Sequence, residues 1–482
     1  MLCLSELPHD VLEAILEQLT PQEALQLSRT NKRLNSIAIF HVLHDVTLGE
    51  ELEPSDPQAL SDHRTRTRLS GREQLVSFAT FVLSNTALYA HHIRSLVLTL
   101  HIFGHSADSI AEVRSTSTLL VQVLPHVREL RRLRILHADH LRPRDEDIFD
   151  AIAALEKLDY LHIGNVGQKY ECCVALLSRM RSSPSEIVLD GFAARALTLE
   201  PFRPHHNTLR RVTIGGAIMI DPNFVGGPCD TFPRVESVHI KDTIMHMPSV
   251  DLSTLFPKAR HATLHNVHSR SATSDRRMRW ASLDSLTVTG ASPMIVTPVR
   301  NVTFLRYPVR QSLASMRPVV LSYAPATLDL VRYGDREGKP AWCASLRYLH
   351  LYDALPTDTF WEPKLLPQLK DLASTPLRHT LKALCVSRRP QANATGQPGG
   401  HDLSESTPVL WAWLARMVMT EYFTQLEYAG FVDASQPEPV AYWYRRIHAD
   451  TDIAGDAVLE KVPQSEVPDL TRMLENLQRE EA

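Results

Sequence analysis

One apolar pattern recurs along most of the chain and constrains its fold more than any other feature. An apolar residue is followed by two variable residues, an apolar residue, one variable residue and a third apolar residue. The middle residues of the best-spaced copies are Leu133, Leu161, Ile187, Val212, Val238, Ala262 and Leu286. The steps between them are 28, 26, 25, 26, 24 and 24 residues. Random apolar triplets do not keep so narrow a step, so we expect a series of similar structural units.

Each copy of this pattern predicts a short strand, because its last three positions alternate between apolar and variable residues. The stretches between copies, such as residues 145–157 and 168–181, have helical periodicity. One unit cannot bury its apolar face alone, so stacked units should form a parallel sheet on the concave side of an arc. After Leu286 the steps become irregular. The middle residues of the later copies are Val302, Leu349, Leu384 and Ala429. An ordinary α/β domain with scattered strands is the alternative.

The first forty-five residues predict three short helices. Pro8 suits the first turn of a helix. The apolar stripe of that helix consists of Leu12, Ile15, Leu16 and Leu19. Thr20 can cap a second helix, with Glu23 returning a hydrogen bond to it, and a third helix starts near Asn31. Three helices of this size form too small a core to be very stable alone, so we expect a partner to complete the burial.

The same residues resemble an F-box. The matching elements are Leu7-Pro8, Asp10-Val11, Ile15-Leu16, Leu25, Leu27 and the basic start Asn31-Lys32-Arg33. The chain departs from the pattern at Leu34, where many F-boxes carry Trp. The resemblance implies docking on the Skp adaptor of a cullin–RING ubiquitin ligase. An ordinary helical cap on the following domain is the alternative.

The resemblance also implies which residues contact the adaptor, although some of them must instead form the helical core. These residues are Leu7, Pro8, Val11, Leu12, Ile15, Leu16, Leu25 and Leu27.

The repeating units are similar to leucine-rich repeats, whose period is about 20–29 residues. The Asn that usually follows the strand in that family is mostly missing. The units therefore resemble the irregular repeats that are common behind F-boxes. The expected fold is α/β, with an N-terminal three-helix F-box followed by an irregular leucine-rich-repeat-like α/β solenoid.

Composition along the chain predicts four segments. These are residues 1–47 for the F-box, 48–72 for a linker, 73–440 for the repeat array and 441–482 for a C-terminal helical cap. The linker is poor in apolar residues and mixes an acidic stretch with a basic one. Residues 388–408 are rich in Gly, Pro, Ser and Asn and predict a disordered or exposed loop inside the array. Helices over residues 409–422 and 467–479 are expected to cap its open end.

The variable residues beside the apolar strand positions should line the concave face of the array. They are rich in His, Tyr, Thr and Arg, a composition suited to binding a protein partner. The candidates are Tyr160, His162, Arg211, His239, Lys241, His261, His265, Tyr348, His350 and Tyr352. A solvated sheet face without a ligand is the alternative for each of them. The basic patches over residues 128–134 and 276–279 predict solvated faces or acidic-partner contacts, because no aromatic residues alternate with them.

Composition excludes several classes of protein. The formal net charge of −4 provides no global basic field for nucleic acid. The six cysteines form no CxxC pair, which argues against a disulfide framework or a structural zinc and indicates a reducing compartment. No apolar run approaches the roughly 20 residues of a membrane span, and the N-terminus does not resemble a signal peptide. We expect a cytoplasmic or nuclear protein that binds neither membrane nor nucleic acid.

No motif points to catalysis, a cofactor or a metal. The chain has no HExxH and no GxSxG, and the segment at residues 334–339 is one residue short of a P-loop. We therefore expect a protein that is not an enzyme and has no metal site and no cofactor.

The sequence favours a substrate-recognition subunit of an SCF-type E3 ubiquitin ligase. The F-box would dock the Skp-type adaptor, and through it the cullin and RING subunits, while the array binds a target protein. The alternative is an F-box scaffold or interaction protein that acts without cullin-dependent ubiquitination.

Overall fold

The computed structural model describes most of the chain in separate ranges. These are residues 7–49, 70–99, 110–138, 146–167, 170–192, 199–220, 231–245, 251–269, 278–290, 295–305, 316, 318, 320–324, 345–355, 362–388, 407–433, 440–447 and 458–475. The chain forms two compact units, Met1–Val235 and Glu236–Ala482. Most of the predicted linker and most of the predicted loop at residues 388–408 lie outside the described ranges.

Three short helices open the first unit. They are α1 (His9–Leu16), α2 (Pro21–Ser28) and α3 (Lys32–His44). The predicted capping box is present at the start of α2, where Thr20 Oγ1 accepts the backbone N–H of Glu23 and the Glu23 carboxylate accepts the N–H of Thr20. The Asn31 side chain accepts the N–H of Arg33 at the start of α3. Local polar groups therefore fix where both helices begin.

The strands of the first unit form a parallel sheet in chain order. They are β1 (Asp45–Leu48), β2 (Ser95–Leu98), β3 (Arg132–Ile135), β4 (Tyr160–Ile163), β5 (Glu186–Phe192) and β6 (Arg211–Ile220). The register aligns the middle apolar residues Leu96, Leu133, Leu161, Ile187 and Val212 side by side. The sequence analysis did not predict β1, which follows α3 directly and pairs with β2.

Helices connect these strands, as parallel pairing requires. The α-helices are α4 (Gly71–Ser84), α5 (Thr86–Tyr89), α6 (Ile110–Val123), α7 (Glu146–Ala153) and α8 (Tyr170–Arg179). Short 3₁₀ helices span Ala90–His92, Leu124–His126 and Glu200–His205. The helices predicted over residues 145–157 and 168–181 correspond to α7 and α8.

The second unit also contains a parallel series of strands. Its strands are β7 (Ser237–Met245), β8 (His261–His265), β9 (His268–Ser269), β10 (Leu283–Thr289), β11 (Val299–Leu305), β12 (Val320–Ala324), β13 (Tyr348–Leu355), β14 (Ala383–Arg388) and β15 (Tyr428–Asp433). β8 pairs with both β7 and β10, the strands from β10 to β15 pair in order, and β9 pairs with β7.

The long step from Val302 to Leu349 has a structural cause. Strand β12 supplies a copy that the sequence analysis missed, and its Leu321 lies in register between Val302 and Leu349. The Cα register then continues through Leu384 to Ala429. The mixed α/β fold thus has a repeat-like parallel sheet in each unit.

The helices of the second unit are fewer among the described residues. They are α9 (Leu252–Leu255), α10 (Glu362–Ala373), α11 (Leu377–Thr380), α12 (Thr407–Met417) and α13 (Val467–Glu475). A π-helical turn at Val418–Tyr422 extends α12. None of the described helices has both the length and the apolar character needed to cross a membrane.

The C-terminal segment differs from the predicted helical cap. Its described part contains two strands, β16 (Val440–Ile447) and β17 (Val458–Lys461), which run antiparallel, before α13. Helix α13 packs on a face of the sheet, since its buried side chains form one cluster with Tyr348 and Cys385. The reason is that Tyr348, Ala383 and Cys385, at variable strand positions of β13 and β14, are aromatic or apolar and are stabilised when another element covers them.

Candidate functional site

The first three helices enclose a small core of their own. Its buried members are Leu12, Leu16, Ala24, Leu34, Ile37 and Ala38. Leu34, the position that departs from the F-box pattern, is buried in this core, so an aliphatic residue fills the place where many F-boxes have Trp. Burying these apolar groups holds the helices together and fixes which side chains face outward.

Three predicted adaptor contacts are exposed on α1, on α2 and just before α1. Pro8 precedes α1 and is exposed, Val11 is 39% exposed, and Leu25 on α2 is 36% exposed. Among the described residues Val11 and Leu25 are two of the few large apolar side chains with such exposure. They are available to an apolar partner surface.

The other five predicted contacts are less accessible. Leu12 and Leu16 are buried in this chain's own core, which corrects their assignment to an adaptor interface. Helical periodicity identified them as apolar, but the same spacing serves a core and an interface equally. Leu7, Ile15 and Leu27 are half-buried, and Leu7 and Leu27 pack against the core.

The three helices are tied to the sheet that follows. The α3 helix ends at His44 and β1 begins at Asp45, while the backbone N–H of Arg94 donates to the His44 carbonyl over 3.1 Å. The Phe40 ring on α3 stacks on His92, with ring centres 4.0 Å apart. These contacts join the helical surface to the first strands without a flexible connection.

Within the first unit, three predicted partner-binding residues lie on the strand face opposite the buried apolar positions. Tyr160 is half-buried on β4, and Arg211 on β6 is exposed and lies 3.5 Å from a Glu186 carboxylate oxygen. His162 Nε2 lies 3.1 Å from Asp190 Oδ2. The register places Tyr160, Glu186 and Arg211 in one row across three strands.

Sequence reasoning missed two arginines on this face. Arg132 and Arg134 flank Leu133 on β3 in the same way that Tyr160 and His162 flank Leu161 on β4, and the register pairs them accordingly. Both were assigned only to a basic patch. Their positions beside a middle apolar residue are the signal that could have identified them.

In the second unit, three of the predicted partner-binding residues on β7 and β8 are histidines. His261 Nδ1 lies 2.8 Å from Ser285 Oγ, and His265 Nε2 lies 3.8 Å from Asp242 Oδ1. Burial, followed by the charges of Lys241 and His265, lowers the pKa of His239 from 6.5 to about 4. The imidazole of His239 is therefore neutral at physiological pH. The described residues contain no group of three or more His, Cys, Asp or Glu placed to hold a metal ion.

Of the three predicted partner-binding residues on β13, Tyr348 is buried and His350 is half-buried. Tyr348 is only 2% exposed and packs with Trp443 and the α13 side chains, which corrects its assignment. His350 is half-buried and its Nε2 lies 2.5 Å from Ser387 Oγ. Tyr352 belongs to β13, but its side chain lies outside the described part.

The two buried thiols of the described residues are unsuited to nucleophilic chemistry. Burial raises the pKa of Cys173 to about 12, with a smaller contribution from Cys172. Burial likewise raises the pKa of Cys385 to about 12. Since the thiolate is the nucleophile, both groups are inert at neutral pH.

Comparison with known proteins identifies the helical region. Residues 4–43 match the model of the F-box domain. No curated protein matches the chain. The matched residues contain α1, α2 and nearly all of α3, so the three-helix core and its exposed apolar groups are those of the matched region. An F-box domain implies a role in binding the Skp adaptor of SCF-type complexes, and F-box proteins are typically adaptors rather than enzymes.

Proposed function

We propose that this chain is the substrate-recognition subunit of an SCF-type E3 ubiquitin ligase. The observation that best supports this proposal is the F-box match at residues 4–43. The helices of this region expose Val11 and Leu25, and Pro8 is exposed just before α1. The core of these helices is already filled by their own side chains. An apolar group that remains outside a filled core gains most when a partner covers it.

The sheet of each unit would bind the target protein. We propose that both units are parts of one irregular leucine-rich-repeat-like solenoid, bounded as residues 73–440. In its support, the middle apolar residues stay in register through β2 to β6 and again through β7, β8 and β10 to β15. Most of the variable positions beside them stay partly exposed in both units; Val188 on β5 is buried, as are positions of β13 to β15 covered by Trp443 and α13.

The contribution to ubiquitination would be positional. A receptor that holds the adaptor with one surface and the target with another raises the effective concentration of a target lysine near the ubiquitin-charged enzyme. This needs no catalytic residue in the chain. We propose that the protein acts in the cytoplasm or nucleus with cullin and RING subunits recruited through the adaptor.

The test is a co-purification of the full chain with the Skp adaptor. Val11→Glu combined with Leu25→Glu should abolish adaptor binding, since interface hot spots are worth about 2 kcal/mol each and burying a carboxylate adds a further cost. Glu keeps the helix propensity high. The matched control is Trp413→Glu with Met473→Glu, which alters two helical side chains that are 47% and 46% exposed.

The control variant should bind the adaptor as the native chain does. Undiminished adaptor binding by the Val11 and Leu25 variant, with its circular dichroism unchanged, would contradict the proposal. Probing the same samples for the cullin subunit separates a ligase receptor from a protein that uses the adaptor alone.

A further inference from the structure

Two rows of side chains cross β2 to β6 on the face opposite the buried apolar positions. In register order the first row is Ser95, Arg132, Tyr160, Glu186 and Arg211. The second row is Val97, Arg134, His162, Val188 and Thr213. Neighbouring strands lie about 4.8 Å apart, so adjacent members of a row can contact each other and a common ligand.

The carboxylates near these rows already have partners. Glu186 faces the Arg211 guanidinium at 3.5 Å. Asp190 places Oδ2 3.1 Å from His162 Nε2 and accepts the backbone N–H of Asn165 at Oδ1, also over 3.1 Å. Glu186 is thus paired with Arg211, whereas Asp190 lies beside His162.

Arg132 and Arg134 are both exposed, and no carboxylate of the described residues forms an ion pair with either. The Arg132 guanidinium carbon lies 5.6 Å from the centre of the Tyr160 ring, a cation–π contact that orients the group without neutralising it. Arg134 is exposed on the next same-face position of β3, beside His162 in the register. Arg132, Arg134 and Arg211 outnumber the carboxylates Glu186 and Asp190, so the face carries an excess of positive charge.

The distance between the two arginines indicates the shape of a ligand that could bind both of them. They are two residues apart on one strand, which separates them by about 7 Å on the same face. An extended peptide repeats its own same-side residues at that distance. A single phosphate needs donors that converge on one point, whereas these two are spread along the strand.

We propose that this face binds an extended, acidic segment of the target protein, with carboxylates of alternate residues on Arg132 and Arg134. Guanidinium groups bind carboxylates through paired hydrogen bonds, which supply orientation as well as attraction. The Tyr160 ring beside Arg132 offers apolar contact to the same segment. The inference rests on the proposed function and names the chemical class of the target.

The test is fluorescence anisotropy of the full chain with a labelled peptide that alternates Thr and Glu over seven residues. The native chain should bind it, with an affinity that falls as salt is raised. Arg132→Gln with Arg134→Gln should weaken binding by about tenfold or more, since two charge-assisted contacts are lost. The control Arg128→Gln with Arg234→Gln removes the same charge from two exposed arginines outside the strands and should change affinity little.

Two further peptides test whether binding requires carboxylates and whether a phosphate is preferred. The same peptide with Gln in place of Glu should bind poorly, and a peptide with one phosphoserine should not surpass the alternating one. Equal affinity for the Glu and Gln peptides, an equal loss in the control variant, or tighter binding of the phosphopeptide would overturn the inference. Adaptor co-purification is measured on the same proteins, so failure of peptide binding with adaptor binding intact removes this inference and leaves the proposed function standing.

Discussion

At the scale of single residues, a left-handed backbone position recurs at the same place in or just after several strands. It is two residues after the third apolar position and is occupied by Asn165, Gly191, Asp242, Asn266 and Gly290. Their φ values lie between +46° and +72°. Asn266 donates its side-chain N–H to Asp242 Oδ1 over 2.9 Å, so successive turns bond to each other. Asn, Asp and Gly are the residues that tolerate this backbone conformation best.

Gly290 is one of the positions where a side chain would strain the turn. Its φ is +72°, and a Cβ there would lie 2.1 Å from Asn266 Oδ1. Gly290→Ala should lower the free energy of unfolding by about 1–3 kcal/mol, from backbone strain together with displacement of the Asn266 side chain. Urea unfolding measures the change. The exposed Ser282→Ala should leave the midpoint nearly unaltered, and equal effects of the two changes would contradict the account.

His350 predicts a loss of stability in mild acid. Burial lowers the pKa of its imidazole from 6.5 to about 4 in the folded chain. As pH falls from about 6.5 towards 4, the unfolded chain takes up a proton that folded His350 resists, so stability decreases over that window. His350→Gln should flatten this dependence of the urea midpoint on pH. The exposed His379→Gln should keep it, and an unchanged slope in the His350 variant would show that other groups cause the effect.

At the scale of elements, α13 stabilises the sheet by covering it. Leu474 is 1% exposed in the cluster with Tyr348 and Trp443, whereas Met473 on the same helix is 46% exposed. Leu474→Ala should cost about 2–5 kcal/mol of unfolding free energy, because it leaves a cavity in that cluster. Met473→Ala should stay within about 0.5 kcal/mol of the native value. Calorimetry of the two variants checks this, and similar transition temperatures would contradict the packing of α13.

The elements that sequence could predict are those fixed by local signals. Thr20 with Glu23 gave the start of α2, and the third helix was expected to start near Asn31. The apolar pattern gave the strands from β2 to β15 except β9 and β12. Strand β12 was not predicted because Pro318 and Tyr323 occupy positions where the other copies mostly have aliphatic residues. The placement of α13 depends on a face of the sheet that only the assembled strands create.

The sequence predicted an apolar binding surface on the first helices, but not which of its side chains are exposed. Periodicity marks an apolar stripe on a helix, but it does not say which members of the stripe a neighbouring helix covers. Leu12 and Val11 are adjacent in sequence, yet one is in the core and the other is exposed. The face of β3 was overlooked because Arg132 and Arg134 were interpreted as a charge run and not by their strand positions.

At the scale of the whole molecule, the proposed function requires two surfaces on one chain. One is the exposed apolar set on α1 and α2, and the other is the basic face of β3 to β6. Tethering works only when the same molecule holds both adaptor and target, since it is the linkage that raises the local concentration. Two chains that each retain one surface cannot replace one chain that has both.

This requirement gives a complementation test in a reconstituted ligase. A lysine-bearing reporter with the alternating Thr and Glu tail should be ubiquitinated with the native chain. It should not be modified with Val11→Glu/Leu25→Glu, which loses the adaptor, or with Arg132→Gln/Arg134→Gln, which loses the tail. A mixture of the two variants should also fail, because each complex lacks one half of the tether. Recovery of activity in the mixture would show that the two surfaces act separately and would remove the positional mechanism.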